Sequence, residues 1–388
     1  MMLFDFHLPT KICLGNGVFK KTPTYLKQLQ MRKRIFIVSD PGIIKIGLVD
    51  RLETLLSHEG FITQVFQDIK PNPRDQDCIL GGKVAKEFRA DVIIALGGGS
   101  VIDAAKIICV LQTLGGTPQE YRGKDKIPQP VTPLIVIPTT AGTGSEVTRS
   151  SVISDTLSKT KFTVKDVKIA PKLAIVDPEL TYDLPPHLTA STGMDALVHA
   201  IEAYTCKEAN PISDALALKA MELIYPNLRK AFQNGKNQIA RYNLMVGSTI
   251  AGMAFSHADV AAVHCMAEAI GGLYDTPHGV ANSMFLPYLI EYNAVADISK
   301  HATIARTIGI ATPSLSDVEA AEILVKEMKK LAEDLSIPTF NSLPGVNEAD
   351  FDYLAQSAYE NGSTPSNARV ITKEDYLILF EKAYKASK

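Results

Sequence analysis

The chain has 388 residues, with 40 Lys plus Arg against 42 Asp plus Glu and a formal charge of −2. That balance offers no clustered basic face for nucleic acid, and a hydrophobic content of 46% supports large cores rather than disorder. Mean hydropathy is slightly positive at +0.06, yet the richest stretch, Val92 to Leu114, is interrupted by Gly97-Gly98-Gly99-Ser100, Asp103 and Lys106, so no membrane span is expected.

The chain opens MMLFDFHLPTK, without a basic region leading into a long apolar one, so no secretory signal is read there. Cys13, Cys78, Cys109, Cys206 and Cys265 are odd in number and scattered, with no CxxC spacing. A disulfide framework or thiolate zinc site is not expected, and a reducing, cytoplasmic compartment fits best.

Short Ile/Val-rich runs at Arg34–Ser39, Asp91–Leu96, Pro133–Pro138 and Leu173–Asp177 have the length of buried strands, each ending at a turn signal or polar residue. Continuous apolar runs point to parallel strands covered on both faces. Helical spacing appears between them at Ile44–Ser57, Cys78–Phe88 and Ser100–Leu111, a βαβα alternation expected of an open, doubly wound sheet. The character changes near Leu184-Pro185-Pro186. Beyond it lie helical segments at Thr192–Cys206, Pro211–Phe232, Ile239–Phe255, Val260–Gly271, Val318–Leu335 and Lys373–Ala386. Two domains are expected: a Rossmann-like α/β dinucleotide-binding domain over 1–183 and an all-helical domain over 184–388.

Gly97-Gly98-Gly99-Ser100 falls where a strand gives way to a helix. Glycines let the backbone approach a ligand, Ser100 is placed to cap the helix, and the exposed N–H groups of a helix start suit a phosphate. A tight strand–helix turn explains the same residues. Thr139, Thr140, Ala141, Gly142 and Thr143 follow the Pro133–Pro138 strand, and hydroxyls with glycines can wrap a pyrophosphate or ribose; a solvated loop is the plain alternative. Two such loops at the carboxyl ends of parallel strands strengthen each other. Asp40 ends another strand, where an acid can bind ribose hydroxyls and repel a 2′-phosphate, favouring NAD over NADP. It equally suits a turn before Pro41-Gly42.

In the helical half, Asp195 and His199 are i and i+4 in STGMDALVHAIEAY and share one helix face. That helix is apolar enough to be buried, and a buried acid or imidazole needs a partner. His264 lies in VHCMAEAIGG and His278 in Pro277-His278-Gly279. Any one of these histidines alone reads as a satisfied core residue. One carboxylate and three imidazoles together suit a divalent first-row metal with an open position, Fe2+ or Zn2+.

With these residues in order, the chain resembles the iron-containing (group III) alcohol dehydrogenase family over essentially its whole length. The resemblance runs through Leu8–Lys11, Pro71-Asn72-Pro73, the Gly97–Ser100 turn with Asp103, Pro138–Glu146 and Asp177–Leu180. It continues through Gly193–Leu197, His199–Glu202 and Pro277–Val280. It implies a dehydroquinate-synthase-like architecture with metal ligands at Asp195, His199, His264 and His278. It implies NAD contacts at Asp40, Asn72, Gly98, Gly99, Ser100 and Thr139–Thr143, with Ser150 and Lys161 beside them, and a substrate-pocket position at Phe255. Members often carry HxMAH, whose second histidine is proposed to relay protons; here the segment is His264-Cys265-Met266-Ala267-Glu268. Glu268 is then either a carboxylate proton acceptor or a polar pocket residue tuned to substrate, and His257 is a second polar candidate.

The resemblance implies an NAD- and metal-dependent alcohol dehydrogenase or aldehyde reductase working on a small alcohol or aldehyde. Hydride would be exchanged with nicotinamide C4 in an interdomain cleft, in a homodimer or larger homo-oligomer. Two other readings stand beside it. A dehydroquinate-synthase-like lyase would need a basic pocket, and no Lys/Arg cluster surrounds the ligand positions. A non-catalytic nucleotide-binding scaffold would leave a buried acid and imidazoles without purpose.

Overall fold

The computed structural model describes residues 3–386. Among the described residues, nine strands and fourteen α-helices follow one another. The strands are β1 (Lys11–Leu14), β2 (Arg34–Val38), β3 (Ile62–Phe66), β4 (Val92–Gly97), β5 (Gly123–Lys124), β6 (Leu134–Pro138), β7 (Ser150–Asp155), β8 (Thr160–Lys165) and β9 (Leu173–Val176). Among them run α1 (Thr22–Gln28), α2 (Pro41–Lys45), α3 (Leu48–Ser57), α4 (Asp75–Phe88) and α5 (Gly99–Leu114). Nine helices follow: α6 (Pro186–Thr205), α7 (Pro211–Gln233), α8 (Gln238–His257), α9 (Ala262–Tyr274), α10 (His278–Ala294), α11 (Ile298–Thr307), α12 (Asp317–Asp334), α13 (Phe351–Tyr359) and α14 (Lys373–Lys385).

The chain packs as two compact units. One comprises Leu8–Thr140 and Gly144–Tyr182; the other comprises the chain from Asp183 onward, the segment ending at His7, and Ala141–Thr143. In the first, six strands form a parallel sheet in the order β1-β9-β6-β4-β2-β3. Ile35, Ile37, Val92, Ile94, Ile135, Ile137, Leu173 and Ile175 make one layer of its core with Leu48, Leu52 and Leu56 of α3. β7 and β8 pair antiparallel and, with β5, form a separate small sheet. The second unit contains no strand among its described residues.

The four strands read from continuous apolar runs are the four central ones. The other two strands of this sheet, missed together with β5, β7 and β8, are its edges. β1 has four residues, none fully buried, and β3 (ITQVF) carries Thr63 and Gln64 on an edge that water reaches. The single helix read over Ile44–Ser57 is instead two, α2 and α3, because Gly47 sits in the left-handed region at φ 72° and breaks the ladder. α6 begins at Pro186, six residues before its expected start. The second proline of Leu184-Pro185-Pro186 occupies the first helical turn, where its missing N–H costs nothing. No single helix among the described residues is long and apolar enough to cross a membrane, and all five cysteines are free.

Candidate functional site

In the parallel-sheet unit, β2, β4 and β6 are neighbours, and the residues that follow each lie at one sheet edge. Asp40 follows β2, Gly98 follows β4 and Thr139 follows β6. The last two turns touch: the Thr139 N–H donates to the Gly97 carbonyl at 3.1 Å, and a Cβ at Gly98 would stand 3.3 Å from the Thr140 side chain. α5 starts at Gly99, so Ser100 lies inside its first turn. The N-cap is Gly98, with no side-chain cap. Ser100 therefore does not cap the helix as its sequence position implied, and the amide groups at that helix start have no side-chain competitor. Asp40 does cap: its Oδ1 accepts from the N–H groups of Gly42 (2.8 Å) and Ile43 (3.1 Å).

A buried network stands behind this edge. Lys106 of α5, fully buried, donates to Ser145 Oγ (2.7 Å), Thr148 Oγ1 (2.9 Å) and the Ser150 carbonyl (2.6 Å). Asp103 accepts from Ser145 Oγ (2.5 Å) and the Val152 N–H (2.9 Å). The helix that begins at the glycine turn is thereby pinned to the end of the Thr/Gly loop and to β7. Elsewhere in the unit, Lys161 donates to Asn72 Oδ1 at 2.8 Å, pairing two of the residues matched to NAD contacts.

In the helical unit, α6 supplies Asp195 and His199, α9 supplies His264 and α10 starts at His278. One ligand atom from each lies within 4.8 Å of all the others. Asp195, His199 and His264 are buried, while His278 is partly exposed and marks the accessible side. The His199 Nδ1 is 3.9 Å from Asp195 Oδ2, and the His278 Nε2 is 3.7 Å from Asp195 Oδ1. Buried His199 Nδ1 and His264 Nε2 have no hydrogen-bond partner. Orphaned imidazole nitrogens cost free energy unless something else occupies them. One carboxylate and three imidazoles converging in this way fit a divalent first-row cation.

Electrostatics follow from burial and crowding. Desolvation drives the His199 imidazole down to about 4, against the pull of Asp195. For Asp195, burial disfavours the charge, but three imidazoles and the Asn282 amide outweigh it and hold the carboxyl below its usual range. Asn282, one turn beyond His278 on α10, donates through Nδ2 to Asp195 Oδ1 at 2.7 Å. Burial also opposes charge on His264, yet the Glu202 carboxylate at 2.6 Å raises its pKa overall.

The other sequence-derived candidates of this unit are placed differently from one another. Phe255 of α8 stacks on His199, with ring centroids 4.3 Å apart. Ala141–Thr143 pack with this unit, and the Gly142 backbone hydrogen-bonds the His199 ring. Glu268, one turn past His264, accepts from Asn361 Nδ2 at 2.6 Å. His257 is engaged differently: its ring nitrogens face the carbonyl oxygens of Met253 (2.8 Å) and His7 (2.9 Å), and Phe6 stacks on it. That ring tethers the N-terminal segment to the end of α8.

Sequence reasoning passed over Glu202 and Asn282. Both are buried, at 3% and 0% exposure, and Glu202 touches His264 while Asn282 touches Asp195. The signal was present: an acid in an apolar helix, three residues after His199, needs a partner for the same reason as Asp195.

Residues 9–178 match the family described as iron-containing alcohol dehydrogenase, and residues 189–384 match its C-terminal part. The chain is 40% identical over 384 residues to a 1,3-propanediol dehydrogenase of Citrobacter freundii, covering 98% of this chain and 99% of that one. It is 37% identical over 379 residues to an NAD-dependent methanol dehydrogenase of Bacillus methanolicus, covering 98% and 99%. The solved alcohol dehydrogenase of Oenococcus oeni superposes with a TM-score of 0.95 at 39% identity, covering 98% of this chain and 100% of that one. Sequence, fold and the four-residue cluster converge: the chain belongs to the iron-containing alcohol dehydrogenase family and is an oxidoreductase acting on CH–OH groups.

Proposed function

We propose that the protein is an NAD-dependent, divalent-metal-dependent alcohol dehydrogenase and aldehyde reductase for small substrates, with Fe2+ as its metal and Zn2+ as the alternative. The observation that carries this reading is the Asp195, His199, His264 and His278 cluster, with its two buried, unsatisfied imidazole nitrogens. The NAD assignment is supported by the acid at the end of β2, by the uncapped start of α5 and by the name of the B. methanolicus relative.

When bound, the two groups supply a Lewis acid that lowers the pKa of an alcohol hydroxyl and an acceptor for its hydride. The chain's own residues do the rest. Asp195 and the three histidines would hold the cation, with His278 on the more accessible side of the cluster. Phe255 covers one face of His199 and excludes water from it. Gly98, Gly99 and Ser100 offer the open amides of α5 to the pyrophosphate, Thr139–Thr143 line the adjoining loop, and Asn72, Ser150 and Lys161 complete the nucleotide contacts. Asp40 binds the adenosine ribose through Oδ2, which takes no part in the cap. Glu268 holds the proton released from the alcohol.

The test is direct. Protein loaded with Fe2+ or Zn2+, given NAD and a short primary alcohol, should produce the near-ultraviolet absorbance of NADH. His264→Ala should lose both metal and turnover. A metal-loaded chain inactive across a broad panel of alcohols and aldehydes would remove the reading.

A further inference from the structure

We infer that Glu202 is a positioning residue that sets which nitrogen of His264 faces the ligand cluster and braces together the two helices that carry three of its members. The inference rests on the metal reading above and concerns a residue that contacts neither substrate nor cofactor.

Glu202 lies on α6, seven residues after Asp195 and three after His199, and its carboxylate is buried. It accepts three hydrogen bonds, all from the start of α9. Oε1 accepts from the Val263 N–H at 2.7 Å; Oε2 accepts from the Ala261 N–H at 2.8 Å and from His264 Nδ1 at 2.6 Å. α9 has no cap of its own, since its N-cap residue is Ala261 and offers no side-chain acceptor. The carboxylate from α6 takes that place, supplying the negative charge and acceptors that a helix N-terminus lacks.

The proton inventory then assigns the tautomer. The two backbone groups can only donate, and an ionised carboxylate can only accept. His264 must therefore present a proton at Nδ1, so that in the neutral ring, the form able to ligate, the lone pair sits on Nε2. Nε2 is the atom that is buried without a hydrogen-bond partner. A ligating imidazole is ordinarily oriented in this way, by a carboxylate on its other nitrogen. Here the same carboxylate also fixes the separation of α6 from α9, so one group sets both the tautomer and the spacing of Asp195, His199 and His264.

Two measurements test this. The first follows Co2+ binding to metal-stripped full-length chain, by chelator competition and by the visible spectrum of the ion. Wild type should take up one ion per chain. Glu202→Gln keeps the side-chain volume but turns one acceptor oxygen into a donor facing donors. It should bind about 10–100-fold more weakly, with an altered spectrum, while its NAD affinity stays at the wild-type value. A folded Glu202→Gln chain with wild-type affinity and spectrum overturns the inference. The second is 15N NMR of the His264 ring in metal-free wild type, identified by its loss in His264→Asn. Recorded at a pH high enough for the ring to be neutral, it should show protonated Nδ1 and bare Nε2, and the opposite tautomer overturns the inference even where Glu202→Gln does not fold. A wild-type chain that takes up no Co2+ overturns the metal reading instead, and the tautomer alone then decides the role of Glu202.

Discussion

Gly279 lies so close to Ser191 that a Cβ at position 279 would stand 2.5 Å from the Ser191 carbonyl oxygen. The same Cβ would be 3.3 Å from that of Asp195. Glycine here allows α10 to start against α6, and that contact places His278 beside Asp195. Gly279→Ala should push the two helices apart, cost about 1–3 kcal/mol through overpacking, and weaken metal binding although every ligand remains. Urea unfolding and metal titration check both halves; unchanged metal affinity would show that His278 does not depend on this approach.

Asp40 has two duties that substitution can separate. Asp40→Gly removes charge and cap together, whereas Asp40→Ser removes the charge and keeps a cap acceptor. Both should raise the use of NADP relative to NAD, by relieving repulsion of the 2′-phosphate. Their stabilities should stay within a few tenths of a kcal/mol of each other, the usual difference between these caps. An NADP/NAD ratio identical to wild type in both variants removes the discriminating role and leaves the cap alone.

Glu268 stands on α9 one turn past His264 and accepts from Asn361 Nδ2. If it holds the substrate proton, Glu268→Gln should lower turnover and change the shape of the pH–rate profile, because an amide cannot take up the proton. A profile parallel to wild type, with only KM changed between substrates, would assign it to substrate selection.

His301 is buried on α11, with Nδ1 2.7 Å from the Asp297 carbonyl oxygen. Burial lowers its pKa from the ordinary 6.5, opposed by the Asp297 contacts and aided by neighbouring Lys300. The unfolded chain then binds a proton that the folded chain refuses. Its contribution to stability is complete above about pH 6.5 and is lost as pH falls below it, by at most about 1.4 kcal/mol per pH unit. His301→Gln should therefore lose less stability than wild type between pH 7 and pH 5, as read by urea denaturation; equal losses would mean the imidazole takes no part.

How much could be read in advance depended on where water reaches. Strands buried on both faces announce themselves as unbroken runs such as DVIIAL, whereas edge strand β3 mixes Thr63 and Gln64 into its apolar residues and reads as nothing in particular. α10, with Pro287 inside it, was not read as a helix, although α7 was read through its own internal Pro226. Asp195 and His199 stood out because an i, i+4 acid and imidazole in an apolar helix demand a partner, whereas His264 and His278 gained meaning only as members of the set. Glu202 obeyed the same rule, but its partners, Ala261, Val263 and His264, are about sixty residues away. Only the folded chain brings a helix start to that carboxylate. The tethering of His257 by Met253 and His7 is equally a product of tertiary structure, since nothing near it in the chain sets its ring apart.

Lys106 has a consequence for how the nucleotide unit can be observed. Its amine is wholly enclosed, with its three donor directions taken by Ser145, Thr148 and the Ser150 carbonyl. An acylating reagent that quickly marks the surface lysines has no route to it while α5 and β7 remain together. Acylation at this one position therefore clocks the opening of the parallel-sheet unit, and slower labelling once NAD is added would measure how firmly the nucleotide holds that unit shut.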